Sequence, residues 1–292
     1  MKRNTIAVMN TKGGVGKSTL VLALAETLTA LHGKTVLVID SDAQASVSAM
    51  LMTPNHLHKL QNEAATIVDF LAASVLKTQT VDWTKFVVGN VSDVDDARRL
   101  YLIPSDMQLT LFEREVSRES QHAALRATVR KLLEAARNIF DYVLIDCPPG
   151  LSVLTETWLR DADWYMSPTK PDYVSVCGLE VFRRFRALNP EMGFAENIGV
   201  VINLADAASA ADRDYDAWLR SQADNRCFGP SVFRTSALQS AALYSADGRS
   251  WLAKYPGNVG QAVRGLTEEL IARTEQVQAD AAVQLKSTGS SN

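Results

Sequence analysis

The sequence predicts an α/β fold in which a mostly parallel, twisted sheet is covered by helices on both faces. Short β-branched runs alternate with longer helical patterns along most of the chain, which is typical of parallel βαβ units. Several of the runs are almost continuously apolar, such as TVLVI, YVLI and IGVVI. Because such runs lack polar alternation, they predict strands that are buried on both faces of the sheet.

The strands and helices follow one another in the order that this architecture needs. Strands are predicted over residues 5–9, 35–39, 100–103, 142–145, 164–167 and 198–203. Leucine and alanine spacing predicts a helix over residues 18–31, closed by Gly33 in a left-handed conformation. Amphipathic spacing predicts one or two helices over residues 112–137 and a final helix over residues 260–273.

The chain shows neither an internal repeat nor a proline-rich linker, so the simplest prediction is a single domain over residues 1–274. Residues 275–292 are predicted to be the end of a helix followed by a tail. The last seven residues, KSTGSSN, are small and polar and are expected to be disordered.

Composition excludes some classes of protein. The 292 residues are 47% apolar, and 33 acidic against 30 basic side chains give a net charge of -3, which argues against a surface coated with basic residues. No apolar stretch approaches the roughly 18 residues that span a bilayer, and residues 1–4 lack an apolar signal region, so we expect a cytoplasmic protein. Three cysteines at long spacing, Cys147, Cys177 and Cys227, favour a reducing compartment over a disulfide framework.

The strongest motif is NTKGGVGKST at residues 10–19, between the first predicted strand and the first predicted helix. Backbone N–H groups in such a loop converge at a helix N-terminus, where an anion is favoured. Glycines let the backbone approach phosphate oxygens, while Lys17 would reach the β- and γ-phosphates and Ser18 would offer a hydroxyl to Mg²⁺. The loop therefore predicts a P-loop NTPase that binds ATP and Mg²⁺.

Carboxylates follow two of the predicted strands. Asp40 and Asp42 end the run VLVIDSD, and Asp146 ends YVLID in the Walker B arrangement. Ligands of open α/β sheets bind outside the carboxyl ends of the strands, so these side chains predict one site with the loop. We predict that Ser18, Asp40 and Asp146 hold the metal. An aspartate after a strand is also a common turn or cap residue, which is the alternative for each of them.

The loop departs from the general P-loop pattern, because Thr11 stands at the first glycine position and Lys12 follows it. The sequence K-G-G-x-G-K-[ST] resembles the deviant Walker A motif of the ParA/MinD family of ATPases. In that family the corresponding lysine crosses the interface of a nucleotide-sandwich dimer. The family motif D-x-D-P-Q resembles residues 40–44, with Ala43 in place of the proline, and implies that Asp42 positions the attacking water.

The resemblance to ParA-type partition ATPases extends over residues 4–273, including residues 140–155, 161–180 and 198–203 in the family's order. It implies that residues 168–178 lie near the nucleotide and the dimer interface, and that Asn203 contacts adenine. It also implies catalytic roles for Lys12, Lys17 and Asp42. The predicted nucleotide contacts are Lys12, Gly13, Gly14, Val15, Gly16, Lys17, Ser18, Thr19 and Asn203.

The same resemblance implies an ATP-bound homodimer that binds nonspecific DNA on the nucleoid, away from membranes. Its weak hydrolysis would be stimulated by an adaptor protein, and it would position DNA or a protein cargo. Basic residues between 213 and 273 offer a possible DNA surface, although scattered solvated arginines explain them equally well. The predicted DNA contacts are Arg234, Lys254 and Arg264.

Two alternative functions remain open within this superfamily. A MinD-like division-site regulator would bind membrane through a C-terminal amphipathic helix, but the tail carries Glu268, Glu269 and Glu275 rather than a basic face. A metabolic or iron–sulfur enzyme would need paired cysteines at ligand spacing, and the chain has no Cys-x-x-Cys.

Overall fold

The computed structural model describes residues 3–289, which form one eight-stranded sheet with helices on both faces. The strands are β1 (Thr5–Val8), β2 (Val36–Asp40), β3 (Val88–Gly89), β4 (Leu100–Ile103), β5 (Tyr142–Asp146), β6 (Trp164–Thr169), β7 (Glu196–Ala205) and β8 (Val232–Phe233). Their order across the sheet is β3-β4-β2-β5-β1-β6-β7-β8, and β3 alone among them runs antiparallel to its neighbour. All six predicted strands are confirmed, whereas β3 and β8 are too short to carry a periodic signal.

The helices were predicted less completely than the strands. They are α1 (Lys17–Ala30), α2 (Ser46–Leu51), α3 (Pro54–Asn62), α4 (Ile67–Leu71), α5 (Leu109–Val116), α6 (Glu119–Ile139), α7 (Val153–Asp161), α8 (Tyr173–Leu188), α9 (Ala210–Ser221), α10 (Ser236–Ala241), α11 (Trp251–Lys254) and α12 (Gly257–Gly289). Gly33 has the predicted left-handed conformation after α1, with φ +61°. The region predicted as one or two helices is two, α5 and α6.

The C-terminal helix is longer than the sequence pattern predicted. It continues past Arg273 and reaches Gly289, so it includes part of the tail that was expected to be disordered. The remainder of that tail, residues 290–292, lies outside the described residues. The division at residue 274 stays a prediction.

Both faces of the sheet are buried, as the continuous apolar runs predicted. In β1, Ile6 and Val8 pack into a core shared with α1 and α12, while Ala7 points into a second core that includes α6 and α7. A third, smaller cluster lies between α8, α9 and β7. Burial on both sides leaves the carboxyl edge of the parallel strands as the place where polar side chains meet.

Candidate active site

The loop of residues 10–16 connects β1 to α1 and meets β7 at its end. Gly16 caps α1 with φ +82°, in the left-handed region. A Cβ atom on Gly16 would lie 2.5 Å from Nδ2 of Asn203, so both the backbone conformation and the contact require glycine. Because α1 begins at Lys17, its unpaired N–H groups face the loop, which is the geometry that a phosphate needs.

Polar bonds tie the first half of the loop to β6 and α8. Asn10 donates from Nδ2 to the Pro168 carbonyl at 2.8 Å, and the Thr11 hydroxyl donates to the Gly178 carbonyl at 2.8 Å. A Cβ atom on Gly178 would approach Oδ1 of Asn10 to 2.9 Å, so glycine lets α8 come this close. Thr11 therefore anchors the loop, and Pro168 and Gly178 contact the loop. That residues 168–178 lie near the nucleotide and a dimer interface stays a prediction. Lys12 follows with an exposed side chain.

Lys17 is buried inside the loop. Its Nζ donates to the Lys12 carbonyl at 3.4 Å. Burial lowers the pKa of Lys17, and the negative charges of Asp146 and Asp42 oppose that shift. The ammonium therefore lies between the loop backbone and two carboxylates of the predicted site.

Asp40 and Asp146 are register partners at the carboxyl ends of β2 and β5. Both side chains are buried. Neither oxygen of Asp146 has a hydrogen-bond partner within residues 3–289. Burial raises the pKa of Asp146 well above its ordinary value, and the charge of Asp40 adds to the shift, while Lys17 and Ser18 oppose it. An unpartnered buried carboxylate is costly unless a cation or proton neutralises it.

This arrangement suits a magnesium ion that arrives with a nucleotide. Mg²⁺ takes oxygen ligands, commonly one or two carboxylates together with phosphates and water. Asp146 and the Ser18 hydroxyl supply such oxygens beside the loop. No group of three or more His, Cys, Asp or Glu side chains in the described part of the chain would hold a metal alone. When bound, the ion would neutralise phosphate charge, and the remaining ligands would come from phosphate and water.

Asp40 accepts three hydrogen bonds at this edge. Its Oδ2 accepts from the Ser48 amide at 2.9 Å and from the Ser48 hydroxyl at 2.6 Å, and its Oδ1 accepts from the Asp42 amide at 3.2 Å. Burial raises the pKa of Asp40 to about 6. The carboxylate thus ties α2 and the following turn to the end of β2, and its role as a metal ligand stays a prediction.

Asp42 lies in a tight turn that faces Lys17 and the other carboxylates. Its Oδ1 accepts from the Gln44 amide at 3.0 Å, and its carbonyl accepts from the Ala45 amide at 2.8 Å. Its charge contributes to the pKa shifts of Lys17 and Asp146, which places it in the same site. Hydrogen bonds therefore close the turn that has alanine where the resembling family has proline.

Asn203, at the end of β7, holds the loop from the other side. Its Nδ2 donates to the Val15 carbonyl at 2.8 Å and to the Gly16 carbonyl at 3.4 Å. The side chain is buried. The structure therefore places Asn203 at the site, where its side-chain amide donates to the loop backbone. The adenine contact stays a prediction.

Sequence reasoning missed residues that support the carboxylates. The buried Trp158 indole donates to the Ser41 hydroxyl at 2.6 Å. The Ser152 hydroxyl donates to Oε1 of Glu113 at 2.6 Å, and burial raises the pKa of Glu113, with a contribution from Asp42. Because α5 and α7 are far from residues 40–42 along the chain, spacing in the sequence contained no signal for these contacts.

One predicted DNA contact is wrong. Lys254 is only 1% exposed, and its Nζ donates to Oε1 of Glu26 at 2.7 Å and also pairs with Asp93. Because Lys254 is buried and forms ion pairs with two buried carboxylates, it cannot reach a DNA phosphate. Arg234 and Arg264 remain exposed; the first pairs with Asp206 at 3.8 Å, and the second lies over the Trp251 ring at 5.4 Å.

Other basic residues of the proposed surface also have structural partners. Arg249 pairs with buried Asp93 at 2.9 Å. Arg273 donates to the carbonyls of Ile198 and Arg226, each at 2.6 Å. The basic stripe predicted from the sequence is therefore smaller than its residue count implied.

Comparison with known proteins identifies the family of this chain. A family model described as an AAA domain matches residues 3–191. The chromosome partitioning protein ParA of Caulobacter vibrioides is 29% identical over 289 residues, covering 95% of this chain and 97% of that protein. The chain belongs to the ParA-type family of P-loop ATPases. The Soj chromosome-partitioning ATPase of Treponema pallidum is similar to this ParA-type chain at 25% identity, covering 93% of it and 98% of Soj.

Solved structures share the fold of this ParA-type ATPase. A plasmid partition protein of Borrelia burgdorferi bound to AMPPNP has a TM-score of 0.71 at 20% identity, covering 94% of this chain and 100% of that one. Cobyrinic acid a,c-diamide synthase of Mycobacterium smegmatis with ADP and magnesium has a TM-score of 0.70 at 23% identity, covering 93% and 94%.

Two features bear on the alternative functions of this ParA-type chain. Cys147, Cys177 and Cys227 are all free thiols, and burial raises the pKa of Cys147 above its ordinary value. Among the helices of residues 3–289, none is both long and apolar enough to span a bilayer.

Proposed function

We propose that this ParA-type protein is a weak, Mg²⁺-dependent ATPase whose ATP-bound homodimer binds nonspecific DNA and positions DNA or a protein cargo. An adaptor protein would stimulate hydrolysis and so release the dimer. The observation that carries the proposal is the exposed Lys12 beside a formed phosphate loop that faces the unpartnered carboxylate of Asp146. A nucleotide that is present in one state only can shift such a dimerisation equilibrium.

The chemistry divides among the residues of the site. Lys17, Ser18 and the loop amides would bind and neutralise the phosphates, and Asp146 would hold the magnesium that accompanies them. Asp42 would orient the attacking water from its turn. Phosphoryl transfer needs charge neutralisation and alignment more than covalent catalysis, and these groups supply both.

The relatives support ATP and magnesium as the ligands of this chain and DNA partition as its role. The Caulobacter vibrioides relative is a chromosome partitioning protein, and the Borrelia burgdorferi structure is a plasmid partition protein bound to AMPPNP. The Mycobacterium smegmatis structure holds ADP and magnesium. We infer the same nucleotide class for this chain because its loop has the backbone geometry and glycines for it.

Replacing Lys12 by alanine is expected to abolish ATP-dependent dimerisation while leaving ATP bound to the monomer. The side chain is exposed and makes no hydrogen bond or ion pair within residues 3–289, so its loss should mainly remove a charge available to a second subunit. Light scattering coupled to size-exclusion chromatography with ATP measures the effect. Lys59→Ala, which removes another exposed lysine on α3, is the control. A Lys12→Ala protein that still dimerises with ATP would show that the lysine does not cross the interface.

The ATP-loaded protein is expected to bind nonspecific duplex DNA with strong salt dependence, and the ADP-loaded protein is not. Asp42→Ala, which should retain ATP, is expected to bind persistently. Arg234→Ala together with Arg264→Ala should reduce the slope of log K against log [salt] by about one for each lost phosphate contact. Arg118→Ala removes an arginine that is 74% exposed near α6 and serves as the control. An ATP-loaded protein that does not bind nonspecific duplex DNA, or whose binding does not weaken as the salt concentration rises, would contradict the proposed DNA binding.

A further inference from the structure

The turn that carries Asp42 is held by a buried tryptophan from another helix. Ser41 stands between Asp40 and Asp42, and its amide donates to the Asp146 carbonyl at 3.0 Å. Its hydroxyl accepts from the Trp158 indole on α7 at 2.6 Å. Both side chains lie in residues that are 0% exposed. Ser41 is therefore fixed through its backbone to β5 and through its side chain to α7.

We propose that Trp158 is a positioning residue for ATP hydrolysis, which it supports by fixing Ser41 and thereby the direction of the Asp42 carboxylate. The inference rests on the proposed function, because it assumes that Asp42 orients the attacking water. The hydrogen bond between the buried indole and the buried hydroxyl fixes the position of Ser41, because separating the two groups would leave both without a partner and without water, which is energetically costly. Small displacements of a group that aligns a reactant reduce the rate strongly.

The alanine at position 43 explains why this chain needs such support. A proline there would fix φ of the turn covalently. Ala43 lacks that restriction, and its amide makes no hydrogen bond within the described residues, so hydrogen bonds around it must define the turn. The bond between Trp158 and Ser41 acts on the residue directly before Asp42.

Helix α7 also connects this turn to the segment that follows Asp146. Ser152 caps α7 by accepting from the Thr155 amide at 3.2 Å, and it donates to Glu113 on α5. The electrostatic contribution of Asp42 to the pKa of Glu113 shows that α5 lies near the same turn. Trp158 thus belongs to a buried, hydrogen-bonded set of residues that contacts the Asp42 turn from α7, while the loop and Lys17 reach the site from β1 and α1.

The test compares hydrolysis with nucleotide binding in Trp158→Phe. We expect kcat to fall by about 3- to 10-fold with an unchanged dissociation constant for ATP, because phenylalanine retains most of the packing and loses the donor. Ser41→Ala should reduce kcat to the same extent, and the double variant should lose no more than either single one. Trp251→Phe is the matched control, since that buried indole donates to the Thr27 hydroxyl at 2.9 Å, away from the turn.

A rescue separates positioning from general weakening of the fold. Ala43→Pro in the Trp158→Phe background is expected to restore at least half of the lost kcat, because the proline would restrict the same turn. Unchanged kcat in Trp158→Phe, or an equal loss in Trp251→Phe at equal melting temperature, would overturn the inference. Lack of ATP hydrolysis by the wild type would contradict the proposed function itself. If the wild type is active, Asp42→Ala is inactive and Trp158→Phe is fully active, only the positioning role of Trp158 is contradicted.

Discussion

Replacing Asp42 by asparagine is expected to lower kcat for ATP hydrolysis by about 100- to 1,000-fold. Asparagine retains an oxygen for the Gln44 amide, so the turn should remain closed while the charge that orients water is lost. Asp42→Ala, which also loses the turn bond, should be at least as slow. Phosphate release under saturating ATP measures the rate, and calorimetric titration with ATP measures binding.

Binding should respond differently from catalysis in these variants. Because the phosphates would be held by the loop, Lys17 and Ser18, the dissociation constant for ATP should stay within about threefold of the wild type. Glu63→Gln removes a carboxylate that is 57% exposed on the surface near α3 and controls for the change in net charge. If Asp42→Asn hydrolyses ATP at the wild-type rate, another group aligns the water.

Replacing Lys254 by methionine is expected to lower the free energy of unfolding by about 3–5 kcal/mol. The substitution keeps an unbranched side chain but leaves Glu26 and Asp93 buried without that cation. Glu26 would retain hydrogen bonds from the Tyr255 and Ser92 hydroxyls, each at 2.6 Å, which do not neutralise its charge. Urea denaturation followed by circular dichroism measures the difference.

The pH dependence of that variant follows from Glu26. Burial raises the pKa of Glu26, and Lys254 is the main group that opposes the shift. Without the lysine the folded state should bind a proton at Glu26 more readily than the unfolded state does, so stability should increase as the pH falls. The deficit of Lys254→Met against the wild type should therefore shrink as the pH falls toward the ordinary pKa of a glutamic acid.

Two further variants decide whether buried charge is the cause. Adding Glu26→Gln and Asp93→Asn to Lys254→Met should recover part of the lost stability, because the carboxylates are then neutral. Arg234→Met, at a side chain that is 62% exposed, should change the free energy of unfolding by less than about 0.5 kcal/mol. A Lys254→Met protein with a free energy of unfolding within about 1 kcal/mol of the wild type would show that the cluster does not depend on its lysine.

Much of the fold and the centre of the site follow from local patterns. Continuous apolar runs indicated six strands, because a strand that is buried on both faces carries apolar residues at successive positions and does not alternate between apolar and polar residues. The phosphate loop and the three aspartates were identifiable because each lies within a few residues of a strand end. Parallel strands then bring those ends to one edge, as the pairing of Asp40 with Asp146 shows.

The contacts that support this centre depend on residues distant in the chain. Lys254 and Glu26 are 228 residues apart, and Trp158 and Ser41 are 117 residues apart. A lysine in a short helix has the same local pattern whether it faces solvent or two buried carboxylates, so its burial was not predictable from spacing. The hydrogen bond from Asn203 to the Val15 carbonyl likewise joins residues far apart in the chain, and the expected adenine contact of Asn203 stays a prediction. Sequence motifs report local backbone geometry, so they are visible in a short stretch of sequence. The burial of a side chain and its pairing with a distant residue are decided only when the fold brings separate segments together.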